Sequence, residues 1–234
     1  MLTKKVLAAV LRHAEQTYPD ECCGLIIRVG RAHQYVECVN THTSPGDEFR
    51  IAPDEYATAE DIGEIVAVVH SHPDATSRPS SRDLAMCEET GLPWVIISWP
   101  EGDVRTICPQ GADLEIKGRP FVHGVWDCYG LIRDWYQRER GIALLNFERE
   151  DEWWKKGGDL YRDHYAEAGF YRHDGPLLPG DVVVMQYMAD VPNHAGVYIG
   201  DEKMLHHLYG QRADIVPYGG FWHERTILTL RYSG

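Results

Sequence analysis

The chain has 234 residues, 44% of them hydrophobic, with 23 basic and 36 acidic side chains and a formal net charge of −13. That length and composition suit an ordinary globular protein with room for two domains. An acidic excess in both halves, with no basic run, argues against charge-driven binding to nucleic acid or anionic membranes. No apolar run approaches the roughly 18 residues of a membrane-spanning helix. The first stretch, MLTKKVLAAVLRHAEQTYP, is interrupted by Arg12, His13, Glu15 and Gln16, so it reads as an amphipathic helix with Val6, Val10 and Leu11 on one side. Six cysteines without a secretory signal or a Cys-x-x-Cys pair lead us to expect reduced thiols and a cytoplasmic setting.

Pro19-Asp20-Glu21 precedes a strand over 22–29, and a turn at Gly30-Arg31 leads to a second strand over 34–39. Residues 41–48 are polar and loop-like, 49–52 form a short expected strand, and 53–64 form a helix with proline at its start. An apolar β-type run over 66–69 then carries His70 and His72. Strand side chains alternate faces, so both imidazoles point to one side. Ser80 is a candidate N-cap for a helix over 81–90, with Asp83 at its third position. A hairpin over 94–99 and 104–107 follows, and the irregular mixture of helices and strands predicts an α+β fold with a mixed sheet. Two imidazoles and a carboxylate make three N/O ligands, the number at which zinc keeps a fourth position open. Ser-x-x-Asp is also an ordinary capping arrangement, and an acidic residue before a strand is commonly a solvated loop group.

Taken together, H-x-H-x7-S-x2-D resembles the signature of the JAMM/MPN (Mov34/PAD-1) metallopeptidases. That resemblance implies zinc held by His70, His72 and Asp83, with Ser80 steadying the oxyanion. It also implies a general base in the segment Glu21-Cys22-Cys23-Gly24-Leu25. The spacing assigns that role to Glu21 rather than its neighbour Asp20.

Pro109-Gln110-Gly111-Ala112-Asp113 is short and turn-rich, and it is the expected boundary between a first domain over 1–112 and a second over 113–234. In the second half Asp127 can cap a helix whose inward face takes Cys128, Leu131, Ile132 and Trp135. Cys128 in a first turn is favoured as a thiolate, so it is expected to be the activated thiol among the six. The alternative is a small core cysteine. Further on, 182–187 reads as a strand, and 194–200 and 204–208 as a hairpin across 201–203. A cysteine at a helix start facing a histidine on a sheet is an arrangement for thiolate–imidazolium catalysis. An odd-length loop would put His206 on the face of His194, and an even one His207.

This half resembles the papain-like NlpC/P60 cysteine peptidases, through Pro120-Phe121-x-x-Gly124, Asp127-Cys128-x-Gly130-Leu131, Leu178-Pro179-Gly180-Asp181 and His194-x-Gly196-Val197-Tyr198-Ile199-Gly200. The resemblance implies Cys128 as nucleophile, His194 as base and a third member at His206 or His207, with family spacing favouring His206. Phe121 stands where many members have tyrosine, and Tyr129 where most have serine. Residues 146–158, with Trp153 and Trp154, look like an insertion with no evident chemistry.

The two domain types in this order and length resemble the tail tip assembly family of lambda-like siphophages. This implies two hydrolytic heads acting in the host cytoplasm during tail assembly or at the virion tail tip, with phage tail tip proteins as partners. One head would be a zinc-dependent (iso)peptidase. The other would be a thiol peptidase for peptidoglycan stem peptides, at the D-Glu to diaminopimelate bond. A rival reading is a structural or chaperone-like assembly factor whose heads serve for docking. A secreted cell-wall hydrolase is disfavoured by the missing signal.

Overall fold

The computed structural model describes residues 1–111 and 114–234, and it resolves into two compact units, Met1–Gly111 and Ala112–Gly234. The last two residues of the expected joint, Ala112 and Asp113, lie outside the described residues.

In the first unit, α1 (Lys4–Thr17) starts at Thr3, whose side chain accepts from Val6 N–H. β1 (Cys23–Val29) and β2 (Ala32–Cys38) form a hairpin, and α2 (Pro53–Ile62) precedes β3 (Glu64–Pro73). α3 (Ser81–Thr90), β4 (Trp94–Trp99) and β5 (Val104–Ile107) complete it. The sheet order is β2-β1-β3-β4-β5, with β3 and β4 parallel and the other pairs antiparallel. It is the mixed sheet expected of an α+β fold. Alternation along the strands loads both faces: Cys22, Ile26, Val69 and Val95 pack with Val6, Val10 and Ala14 of α1. Cys23, Leu25, Ile27, Val68 and Trp94 pack with Ala59 of α2 and Cys87 of α3. Gly24 lies where the β2 backbone comes closest. A Cβ there would sit 2.4 Å from the Val36 carbonyl and 2.6 Å from the Tyr35 ring.

Three expectations shift. The His-bearing strand is longer than its apolar run, because Gly63 ends α2 early and Glu64 already pairs with Arg28. β2 begins at Ala32 and stops at Cys38. Residues 49–52 form no strand. Their polar groups turn instead to a loop knot in which Arg50 N–H donates to Asn40 Oδ1 and Arg50 O accepts from Thr41.

In the second unit, α4 (Cys128–Arg140) is followed by a short 3-10 turn at Trp153–Lys155, then α5 (Leu160–His164) and β6 (Phe170–Arg172). β7 (Val182–Met185), β8 (His194–Gly200), β9 (Lys203–His206), β10 (Asp214–Pro217) and β11 (Thr226–Tyr232) follow. They form a six-stranded antiparallel sheet in the order β10-β9-β8-β7-β11-β6. Leu131, Ile132 and Tyr136 of α4 pack on Val182, Val184, Ala195, Val197 and Leu230. Tyr136 takes the inward place expected of Trp135 because its hydroxyl reaches the Gly180 carbonyl at 2.6 Å, while Trp135 is half-buried against Arg140. No helix among the described residues is long and apolar enough to cross a membrane.

Each unit has its own sheet and its own buried clusters, so each should fold alone. Residues 1–112 and 113–234, expressed separately, should each give a cooperative thermal transition and dispersed amide spectra. Two unfolded fragments would show that neither core suffices by itself.

Candidate active sites

In the first unit the pleat of β3 turns His70 and His72 to the same side, and the first turn of α3 brings Asp83 to them. The His70 and His72 Nε2 atoms are 3.1 Å apart, and Asp83 Oδ1 and Oδ2 lie 3.1 Å and 3.4 Å from them, respectively. Ligand bonds of about 2.0–2.1 Å in a tetrahedron set donor atoms roughly 3.3 Å apart, so these three side chains match the donor set and spacing that hold a small metal cation. The His72 Nδ1 atom is 2.9 Å from the Thr76 carbonyl, which can only accept. Nδ1 therefore carries the proton, and the Nε2 lone pair is left for the cluster. His70 is fully buried, with Phe49 stacked on its ring at 4.7 Å and Trp94 edge-on at 5.5 Å.

The capping reading of Ser80 and Asp83 holds as well. Ser80 Oγ accepts from Asp83 N–H at 3.1 Å, and Ser80 N–H donates to Asp83 Oδ2 at 2.7 Å. Although burial alone would raise Asp83, hydrogen bonds from both imidazoles hold it well below the usual carboxylate range. Burial lowers His70. His72 is raised, because hydrogen bonds to Asp83 and the Thr76 carbonyl outweigh its own burial.

Cys23 pairs with His70 and the Cys22 carbonyl accepts from Ser71 N–H, a register that delivers Glu21 to the neighbourhood of His72. Glu21, His72, Ser80 and Asp83 line one cleft of about 570 Å³. Glu21 is 5% exposed whereas Asp20 is exposed, so the two acidic neighbours differ sharply in environment. Asn40 holds the loop that covers Glu21: its Nδ2 donates to the carbonyls of Glu21, Pro45 and Glu48, and its Oδ1 accepts from His42 and Arg50. Sequence pattern gives no hint of that hub. Burial pushes the Glu21 carboxyl up to about 8 against the opposing pull of His72.

In the second unit Asp127 caps α4. Its Oδ1 accepts from Gly130 N–H at 2.8 Å, and its Oδ2 from Gly124 N–H and Arg149 Nε at 2.9 Å and 2.8 Å. The Asp127–Arg149 pair is buried, and Arg149 also donates to the carbonyls of Gly124 and Phe147. Gly130 is obligatory, since a Cβ there would fall 1.8 Å from the Val125 carbonyl oxygen. Cys128 opens the helix, half-buried, and its Sγ lies 3.1 Å from the Tyr161 hydroxyl. Cys128, Tyr161 and His194 line the same cavity of about 90 Å³, walled by Phe121, Trp153 and Trp154. Arg149 belongs to the stretch 146–158 for which the sequence offers no chemistry and Tyr161 lies just beyond it, and only their three-dimensional neighbours reveal them.

The hairpin decides between the two histidines by an unexpected route. Its loop is the two residues Asp201-Glu202, both with positive φ (50° and 53°), as a tight primed turn requires. That even length alone would present His207. A bulge between Tyr198 and Gly200 adds a residue and shifts the register, so His206 pairs with Gly196 and shares the face of His194. The His194 Nε2 and His206 Nδ1 atoms are 2.9 Å apart, which leaves His194 Nδ1 for the cavity. His207 instead meets the Gln211 carbonyl and the edge of Phe121.

Burial works against the thiolate expected at Cys128. Burial raises the Cys128 thiol to about 11, outweighing the help of the Tyr161 hydroxyl and the Ala195 backbone. Burial also drives His194 well below its ordinary value.

The family model for prokaryotic homologs of the JAB domain matches residues 3–108, and the NlpC/P60 family model matches 118–231. Tail tip assembly protein K of Escherichia phage N15 is 45% identical over 234 residues, covering 99% of this chain and 96% of that protein. The chain belongs to the tail tip assembly protein K family. The protein K of Escherichia phage lambda is 38% identical over 183 residues, 78% of this chain and 89% of that one. A Mycobacterium tuberculosis protein named "Probable endopeptidase" is 32% identical over 133 residues, 54% of this chain and 29% of that one. The tail tip assembly protein K architecture here is therefore a JAB-homologue region followed by an NlpC/P60 region.

Two measurements follow from these electrostatics. Glu21 has a folded value (about 8) above its ordinary 4.5, so its stabilising protonation is complete below about 4.5 and lost as pH rises through 8. With chelator present, the stability of Glu21→Gln relative to wild type should therefore grow between pH 5 and 8.5, by on the order of 4 kcal/mol at most. A gap that does not change with pH would contradict the buried carboxyl. Second, iodoacetamide should alkylate exposed Cys108 before Cys128 below pH 9, and the Cys128 rate should climb about tenfold per pH unit. Preferential labelling of Cys128 at pH 6.5 would instead reveal a thiolate in the resting protein.

Proposed function

We propose that this chain acts in phage tail tip assembly, in the host cytoplasm and at the nascent tail tip, as a hydrolase with two heads and with other phage tail tip proteins as partners. The observation that carries this reading is the cluster of His70, His72 and Asp83 at tetrahedral spacing beside the buried carboxyl of Glu21. The first head is a zinc-dependent (iso)peptidase. His70, His72 and Asp83 would hold the ion, and zinc supplies Lewis acidity when bound. Glu21, as a carboxylate, takes a proton from the attacking water and returns it to the leaving amine. Ser80 accepts from Asp83 N–H, so its own hydroxyl proton is available to the substrate oxyanion.

The second head is a thiol endopeptidase for peptidoglycan stem peptides, cleaving after D-Glu at diaminopimelate. Cys128 attacks the carbonyl carbon as His194 Nδ1 removes the thiol proton, and His206 fixes the ring of His194 through Nε2.

A second reading, that one head or both serve only as docking modules in the tail, draws on the un-ionised Cys128 and on Phe121 in place of a tyrosine. The near-isosteric changes Glu21→Gln and Cys128→Ser separate the two. Both variants should stay folded, and the purified wild type and Glu21→Gln should each contain about one zinc per chain, lost in His72→Ala. Each variant should lose at least about a hundredfold in one activity: Glu21→Gln in tail maturation, Cys128→Ser in stem-peptide cleavage. Infectious particles at wild-type yield and speed from both variants would leave the docking reading standing.

A further inference from the structure

We propose that the Tyr161 hydroxyl is a catalytic residue of the thiol site, donating first to the Cys128 sulfur and then to the oxygen of the carbonyl under attack. The inference deepens the thiol-peptidase reading and rests on it. Among the described residues, Tyr161 Oη is the side-chain hydrogen-bond partner of Cys128 Sγ, at 3.1 Å. Three other aromatic groups that line the cavity do not offer that donor. Phe121 has no hydroxyl and packs on Tyr209 at 5.0 Å, and the Tyr129 hydroxyl is committed to the Leu145 carbonyl at 2.7 Å. The Tyr209 hydroxyl turns to Asp151.

Burial raises the Tyr161 phenol well above its ordinary value, so it keeps its proton and remains a donor throughout the working range. Trp153 holds the ring from the side, with centroids 6.2 Å apart. The backbone N–H of Cys128 supplies a second donor, because the first N–H groups of a helix have no intrahelical partner. Arg149 fixes the direction of that helix end through Asp127. The segment that interrupts the unit between α4 and β6 thus brings both the clamp and the hydroxyl.

The step balances as an acyl transfer. The thiol proton passes to His194 Nδ1, the sulfur electron pair forms the C–S bond, and the carbonyl π pair moves to oxygen. That oxygen is then held by Tyr161 O–H and Cys128 N–H. Collapse breaks the C–N bond, and the amine leaves with the proton from His194. Water then repeats the sequence on the acyl-enzyme. Tyr161 keeps its proton throughout.

Full-length wild type, Tyr161→Phe and Cys128→Ser test this, with the synthetic tripeptide L-Ala-γ-D-Glu-diaminopimelate as substrate and iodoacetamide as thiol probe. Tyr161→Phe deletes one oxygen, so its melting temperature and KM should stay near wild type. Its kcat should fall on the order of 10²-fold, the effect of losing one oxyanion donor. Its alkylation of Cys128 at pH 9 should slow roughly tenfold, because the thiolate has lost a charge-assisted hydrogen bond. Wild-type kcat and an unchanged alkylation rate overturn the role of Tyr161. Cleavage that persists in Cys128→Ser, or is missing from wild type, overturns the thiol-peptidase reading instead. Alkylation then decides the Tyr161–Cys128 interaction by itself: slower labelling upholds it and an equal rate overturns it.

Discussion

In each unit a buried carboxylate ties down the first turn of a helix and holds part of the adjoining site at the same time. Asp83 accepts from Ser80 N–H and meets both imidazoles of β3. Asp127 accepts from Gly130 and Gly124 and pairs with Arg149. An aspartate buried without such partners would be costly. Removing either carboxylate would therefore disturb a helix start and a site together, which makes an alanine at those positions a poor probe of catalysis.

The two units reach opposite electrostatic solutions. In the first, neighbouring carboxyls are driven apart: Asp83 is held low by two imidazoles, while Glu21 is pushed up to about 8 by burial. One is held toward its anion and the other toward its neutral form. In the second, desolvation acts on cysteine and histidine in opposite senses, raising the thiol and lowering the imidazole.

Much of the cluster of His70, His72 and Asp83 was legible because its residues sit at local spacings with a fixed physical meaning. Two histidines two apart on a strand share a face, and Ser-x-x-Asp opens a helix. The α+β class, the mixed sheet and the helix begun by Asp127 were legible for the same reason. What escaped depends on contacts between distant parts of the chain. Phe49 was read as a strand residue, yet its ring covers His70. Arg149 and Tyr161 gave no signal, because an arginine or tyrosine in a polar stretch means nothing until its neighbour is known. Asn40 likewise acquires a meaning only through five hydrogen bonds, four to a loop and one to the Glu21 carbonyl. At Cys128 the helix end that favours a thiolate is a local feature, whereas the burial that opposes it is a property of the whole cavity.

The bulge at Ile199 has a bearing on how such a chain can change over generations. Loop length and bulge together choose which of two adjacent histidines meets His194. A one-residue deletion from either would exchange them and bury the wrong ring, although every residue needed would still be present. Two compensating length changes would leave the pairing intact. Relatives should therefore differ in this hairpin by coupled insertions and deletions far more readily than by single ones, and having two consecutive histidines there gives an unpaired change a partial rescue.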